Sequence, residues 1–228
     1  YMDLIDNVFW WGCCVAIGAA GTGLIPMAAC MSARDGVALN LYLPGEVRAE
    51  TESGTVRLRT ETAYPADGRV RVTVDAEGEF TLYLRIPAWS RTAALSVNGE
   101  ALEAGAGYAR VRRVWRRGDV VELTLDLRTC ILRAAELDPD ANEASRCHAA
   151  LLRGPIVLAR DARFGEEVGE AVTLADEDGY AVTEAADAPF DCLEAFRVRT
   201  AEGEISVADY ASCGRDWDLP MSAWITTR

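Results

Sequence analysis

Cys13 and Cys14 are the residues of this chain best suited to chemistry. They follow the aromatic cluster Phe9-Trp10-Trp11-Gly12 and precede a run rich in glycine and alanine. A thiol is a useful nucleophile only as thiolate, and a metal, a cation or a helix N-terminus is what lowers its pKa enough to supply one. Two thiols with no spacer suit a soft metal, but a zinc site needs three or four ligands and spacing reveals no third. Cysteine is also among the most buried residue types, so by residue type alone the pair reads as core packing at a helix start. Trp10 and Trp11 either line a sugar pocket, since aromatic faces pack on the apolar faces of sugar rings, or belong to a helical core.

The elements that must position these groups follow from pattern. Residues 15–31 are rich in Ala, Gly and Met without β-branched alternation, which predicts a helix made irregular by its glycines and Pro26. From Gly36 the period changes to two, with Leu39, Leu41 and Leu43 alternating with Asn40 and Tyr42. The alternation continues through Val56 and Leu58, Val70 to Val74, Phe80 to Ile86 and Val121 to Leu127. Glycine-bearing turns at Asp67-Gly68, Glu77-Gly78, Asn98-Gly99 and Arg117-Gly118 punctuate it. Short strands at this spacing predict antiparallel sheets polar on one side, packed as a sandwich so that two apolar faces cover each other.

Between Leu137 and Arg146 the pattern lapses into Asp-Pro-Asp-Ala-Asn-Glu, the best linker candidate. A second β unit is expected from Cys147, with a strand bent at Gly154-Pro155 and a hairpin around Glu202-Gly203. The expected organisation is mainly β: a helical stretch over residues 1–34, a first sandwich over 35–136 and a second over 137–228.

A length of 228 residues suffices for one large or two ordinary domains, and no internal repeat or low-complexity tract stands out. The net charge of -13 argues against a nucleic-acid partner, because phosphate binding needs concentrated positive charge. All 23 basic residues are Arg, which removes Schiff-base lysine chemistry. No segment reaches the roughly 20 apolar residues of a membrane span, and no secretory signal is visible. Tyr1 opens in mid-element, so further chain is expected upstream. Seven scattered cysteines do not read as a disulfide framework, which points to a reducing, cytoplasmic setting.

Other residues invite over-reading. Arg110, Arg112, Arg113, Arg116 and Arg117 alternate with Val111 and Val114, as on the wet face of a hairpin. His148, the one histidine, has no nucleophile elbow to serve and reads as a strand residue. Trp89, Trp115, Trp217 and Trp224 read as core or interface anchors, and Cys30, Cys130, Cys147, Cys192 and Cys213 as buried free thiols. Several of those tryptophans exposed along one sheet would instead indicate a non-catalytic carbohydrate-binding or structural module.

Several phrases recur together: Asp35-Gly36-Val37-Ala38-Leu39-Asn40-Leu41-Tyr42-Leu43-Pro44, Leu84-Arg85-Ile86-Pro87-Ala88-Trp89, Val97-Asn98-Gly99 and Leu152-Arg153-Gly154-Pro155. With the closing Ala208-Asp209-Tyr210-Ala211-Ser212-Cys213-Gly214 and Met221-Ser222-Ala223-Trp224, the chain resembles the C-terminal part of the β-L-arabinofuranosidases of glycoside hydrolase family 127. The resemblance implies a retaining glycosidase in which an α/α barrel precedes β-sandwich domains, residues 1–34 being the barrel's end. It also implies that Cys13 is nucleophile and zinc ligand and Cys14 a second zinc ligand. The acid/base glutamate, and the glutamate and cysteine that complete the zinc site, would lie upstream. A retaining mechanism needs both a nucleophile and an acid/base, so this chain alone is expected to be inactive and to retain no zinc. For the full-length protein the resemblance implies an oligosaccharide or glycan substrate, and the sandwiches are candidates for bracing the barrel and for the subunit contact of a homodimer. Val15-Ala16-Ile17-Gly18-Ala19-Ala20 departs from the family's phrase after the pair and leaves the sugar open.

Overall fold

The computed structural model describes residues 4–52, 54–137, 140, 142–216 and 218–228, with the side chains of residues 4–12, 143 and 144 outside that description. Trp217 and the side chains of Trp10 and Trp11 therefore lie outside the described residues. The chain is mainly β and divides into two compact units, residues 1–64 with 68–125 and residues 65–67 with 126–228.

The first unit opens with helix α1 (Leu4–Ala29), followed by β1 (Cys30–Ala33), β2 (Gly36–Leu39), β3 (Gly45–Thr51), β4 (Gly54–Thr62) and β5 (Arg69–Asp75). It continues with β6 (Gly78–Ile86), β7 (Ala93–Val97), β8 (Glu100–Leu102), β9 (Gly107–Trp115) and β10 (Val120–Leu125). One sheet has the order β1-β2-β6-β9 and the other β3-β4-β5-β10-β7-β8. Both contribute to one core, in which Val37, Leu82, Leu84 and Trp115 from the first meet Leu58, Val72, Val121 and Leu123 from the second. This is a β-sandwich, and the period-two strands build it because every second residue faces the opposite sheet. Asn98 and Gly99 both take positive φ, which is what the two-residue hairpin joining β7 to β8 requires.

Three details differ from expectation. The helix starts well before residue 15 and carries Pro26 inside its last turns. Strand β2 ends at Leu39, and beyond it Tyr42 is buried while Leu43 is exposed, because the Asn40 and Leu41 amides turn back to donate to the Ala29 carbonyl. One pairing is parallel: β2 lies beside β6 with Val37 opposite Leu82.

The second unit holds β11 (Thr129–Arg133), α2 (Ala134–Leu137), α3 (Glu143–Arg146), β12 (His148–Arg153), β13 (Ile156–Asp161), β14 (Asp176–Glu177) and β15 (Tyr180–Ala181). Then come β16 (Thr183–Ala185), β17 (Ala195–Thr200), β18 (Gly203–Asp209), β19 (Met221–Ser222) and β20 (Ile225–Thr226). The turn-forming stretch before Arg146 falls inside this unit, since it connects β11 to β12, which pair with Ile131 opposite Leu151. The sheet runs β14-β15-β11-β12-β13-β18-β17-β16, with β19 on β13 and β20 on β12. In a flat sheet β15 and β17 would stand roughly 24 Å apart at about 4.8 Å per strand. Instead Ala181 and Val198 share one core, and the Arg199 amide donates to the Val182 carbonyl at 3.0 Å. The sheet thus curls until its two ends meet, and its inner faces cover each other as in a sandwich. Among the described residues, no helix is long and apolar enough to cross a membrane.

Candidate active site

Helix α1 carries both thiols. Its alanine-rich sequence supports a helix, and its end is held from outside: the Asn40 side-chain amide donates to the Ala28 carbonyl at 2.9 Å, beside the two backbone donations to Ala29. Tyr108 in turn donates its hydroxyl to the Asn40 side-chain oxygen at 2.5 Å. The last carbonyls of the helix, which have no partners within it, are thereby satisfied by the first sandwich. Cys13 lies about 24 Å along the helix from that anchored end at 1.5 Å per residue, beyond the reach of strand side chains.

The Cys13 and Cys14 sulfurs are 3.9 Å apart, and both are exposed. Val15, Ile17, Leu24, Ile25 and Met27 on the same helix are exposed as well. The core-packing reading of the pair is therefore not realised in this chain. Two sulfurs each 2.3 Å from a tetrahedral zinc would be about 3.8 Å apart, so the pair matches one edge of such a site. The remaining corners are not supplied: among the described residues no group of three or more His, Cys, Asp or Glu side chains could hold a metal ion. The thiols suit two corners of a zinc site and do not make one by themselves.

The other candidates fall to structural roles. Arg112 pairs with Glu79 at 3.4 Å and Arg117 with Asp75 at 3.0 Å, while Arg110 lies over Tyr83 and Arg113 over Trp115. That pattern is a partly neutralised outer face. His148 Nδ1 lies 3.3 Å from the Ser145 carbonyl oxygen, a backbone contact at the start of β12. Trp115 is a core residue, donating from Nε1 to the Phe80 carbonyl at 2.9 Å, whereas Trp89 is half-buried and Trp224 exposed. Of the five downstream cysteines expected to be buried, Cys213 is; Cys30, Cys130 and Cys192 are half-buried and Cys147 is exposed. Burial pushes the Cys213 thiol up to about 11, so it stays an unreactive thiol at neutral pH.

Sequence reasoning missed the polar anchors. Asp35 accepts from the Thr81 and Tyr83 hydroxyls, and those hydrogen bonds hold its carboxyl below the usual range. Arg160 is buried and donates to the carbonyls of Glu167, Val168 and Glu170. Arg153 lies beside Glu194 at 3.4 Å. Asp35 and Arg153 join residues distant in the chain and Arg160 fastens an irregular loop, and for none of them does strand or helix periodicity carry a signal.

The two β units and the helix before them resemble solved glycoside hydrolases. A solved glycoside hydrolase superposes with TM-score 0.73 at 28% identity, over 87% of this chain and 37% of that one. More narrowly, residues 36–127 match the middle domain of the GH127 β-L-arabinofuranosidases. A GH127 β-L-arabinofuranosidase from Geobacillus stearothermophilus T6 superposes with TM-score 0.71 at 28% identity, over 90% of this chain and 35% of that one. The fold is also that of a further GH127 β-arabinofuranosidase, with TM-score 0.70 at 24% identity over 88% of this chain and 36% of that one. Over residues 36–127 the chain is thus similar to this GH127 middle domain. It spans little more than a third of the length of these structures. No curated protein matches it.

Proposed function

We propose that this chain is the part of a β-L-arabinofuranosidase-like glycoside hydrolase that carries its thiolate pair, with Cys13 as nucleophile and Cys14 as its companion zinc ligand. The observation that carries this is the pair itself: two exposed sulfurs 3.9 Å apart on the helix that leads into a GH127 middle domain. A bound zinc ion would keep both sulfurs deprotonated at neutral pH. The Cys13 thiolate would attack the anomeric carbon, forming a carbon–sulfur bond as the glycosidic carbon–oxygen bond breaks. The leaving oxygen needs a proton, and the same acid, now a base, must then activate water to release the sugar with retention.

Among the described residues no carboxylate stands with the thiols to do this. On this reading the acid/base and the remaining ligands would come from barrel segments upstream of the pair, and the chain by itself would be inactive. Trp10 and Trp11, one turn before the thiols, would form the apolar wall of the sugar site. The substrate would be a glycan bearing arabinofuranose. Of the tryptophans whose side chains are described, only Trp224 is exposed, so an aromatic platform of the carbohydrate-binding-module kind finds no support.

Incubation of the chain with 4-nitrophenyl β-L-arabinofuranoside and excess zinc tests this reading. No nitrophenol release is expected. Release that disappears in Cys13→Ser would show a complete centre within this chain, and release that survives in Cys13→Ser would show a different one.

A further inference from the structure

The second unit holds an ion pair that is left open. Arg153 ends β12 and Glu194 immediately precedes β17, and their side chains are 22% and 10% exposed. Arg153 is fixed on two sides: Nη1 donates to the Leu127 carbonyl at 2.6 Å, and the guanidinium carbon lies 4.7 Å from the centre of the Phe196 ring. Toward Glu194 the fit is loose. Nε and Oε2 are 3.4 Å apart, and both atoms are buried without a hydrogen bond among the described residues. Charge-assisted pairs of this kind ordinarily close to about 2.7–2.9 Å.

The remaining atoms of the pair, Arg153 Nη2 and Glu194 Oε1, have no hydrogen-bond partner among the described residues and are not among the buried unpartnered atoms. Both residues line a cleft of about 570 Å³, together with Phe190, Asp191, Leu193 and Phe196. Burial pushes the Glu194 carboxyl up, and Arg153 offsets only part of that. A buried carboxylate and a guanidinium that leave each other unsatisfied are costly unless a third group completes them.

We infer that this cleft is a sugar subsite, in which the Arg153–Glu194 pair receives two adjacent hydroxyls of a neutral carbohydrate. The charges of Arg153 and Glu194 offset each other, and the carboxylates of Asp187 and Asp191 that also line the cleft disfavour an anion, so a ligand rich in hydroxyl donors suits it. The pair offers one donor and one acceptor side by side: a hydroxyl oxygen accepts from Arg153 while its neighbour donates to Glu194. The cleft volume falls within the range of small-ligand sites. Only the choice of carbohydrate among neutral polyols rests on the glycoside-hydrolase reading, and the subsite uses neither thiol.

Amide NMR titration of the chain with methyl β-L-arabinofuranoside tests the inference. Saturable shifts confined to residues 185–196 and Arg153 are expected. Binding should weaken at least about tenfold in Glu194→Gln and in Arg153→Lys, since a hydrogen bond to a charged group is at stake. The 2,3-dideoxy analogue on the unaltered chain should give no saturable shift, and this arm does not depend on the variants folding. Binding should persist in the Cys13→Ser/Cys14→Ser double variant, so failure of the thiol assignment leaves the subsite standing. Absence of saturable shifts in the unaltered chain, equal affinity for the dideoxy analogue, or loss of binding with the thiols would overturn it, the first result meaning that water alone completes the pair.

Discussion

A Cβ placed on Gly36 would stand 1.8 Å from the carbonyl oxygen of Thr81, closer than any side-chain atom can approach. The parallel contact between β2 and β6 is therefore open only to glycine, and the Thr81 amide completes it by donating to the Asp35 carbonyl at 2.9 Å. Because the obstacle is backbone, no rotamer change can relieve it. Gly36→Ala is expected to cost about 3 kcal/mol or more, the upper range for overpacking, by separating these strands. Urea unfolding of the variant checks this; a midpoint unchanged from the parent chain would contradict it.

Arg160 organises the loop after β13. Its guanidinium serves three backbone carbonyls, those of Glu167, Val168 and Glu170, while its side chain is 4% exposed. Removing it leaves those acceptors without partners, at about 1–3 kcal/mol for each that stays buried. Arg160→Met should therefore lower stability by about 2–4 kcal/mol, the loop recovering part of the loss by opening to water. Amide exchange should accelerate across residues 165–171 before the rest of the unit. Uniform acceleration across the unit would show that the arginine serves general packing instead.

Acid should attack the second unit through two aspartates. Asp161 accepts from Arg163 and from the Gly214 amide, and Asp126 accepts from Arg128, and these bonds hold both carboxyls down at about 2 against an ordinary 3.8. A folded pKa below the unfolded one means that the unfolded chain binds protons more readily. The stabilisation is thus present above the unfolded value and is lost as pH falls from 3.8 to about 2. Denaturant unfolding followed through that window should show stability declining. Asp161→Asn should start less stable and decline less steeply; an equal slope would contradict the assignment.

What the sequence made legible was whatever is local. Val70, Val72 and Val74, Phe80 to Ile86, and Val121 to Leu125 show alternation and are buried as alternation requires. Leu41 and Leu43 show the same alternation and fail, because Asn40 turns the chain to cap α1 and Tyr42 takes the inward place. The parallel β2/β6 pair and the curling of the second sheet depend on partners far along the chain, which spacing does not encode. The thiol pair was visible as a phrase, but its exposure was not: cysteine's usual preference for burial pointed the other way. Arg153 and Glu194 are likewise far apart in the chain, and only folding sets them together.

The most direct test of the thiol assignment is to count thiolates on a bound metal. Cadmium in excess, which thiolates hold more tightly than the zinc this chain alone is expected to lose, gives an ultraviolet charge-transfer band whose intensity rises with each sulfur bound. The chain should show two thiolates more than the Cys13→Ser/Cys14→Ser double variant, and each single variant should lose most of the difference, since a lone thiolate holds the metal far more weakly than a chelating pair. Identical cadmium spectra for the chain and the double variant would mean that Cys13 and Cys14 do not act together on a metal, and the account would fail at its centre.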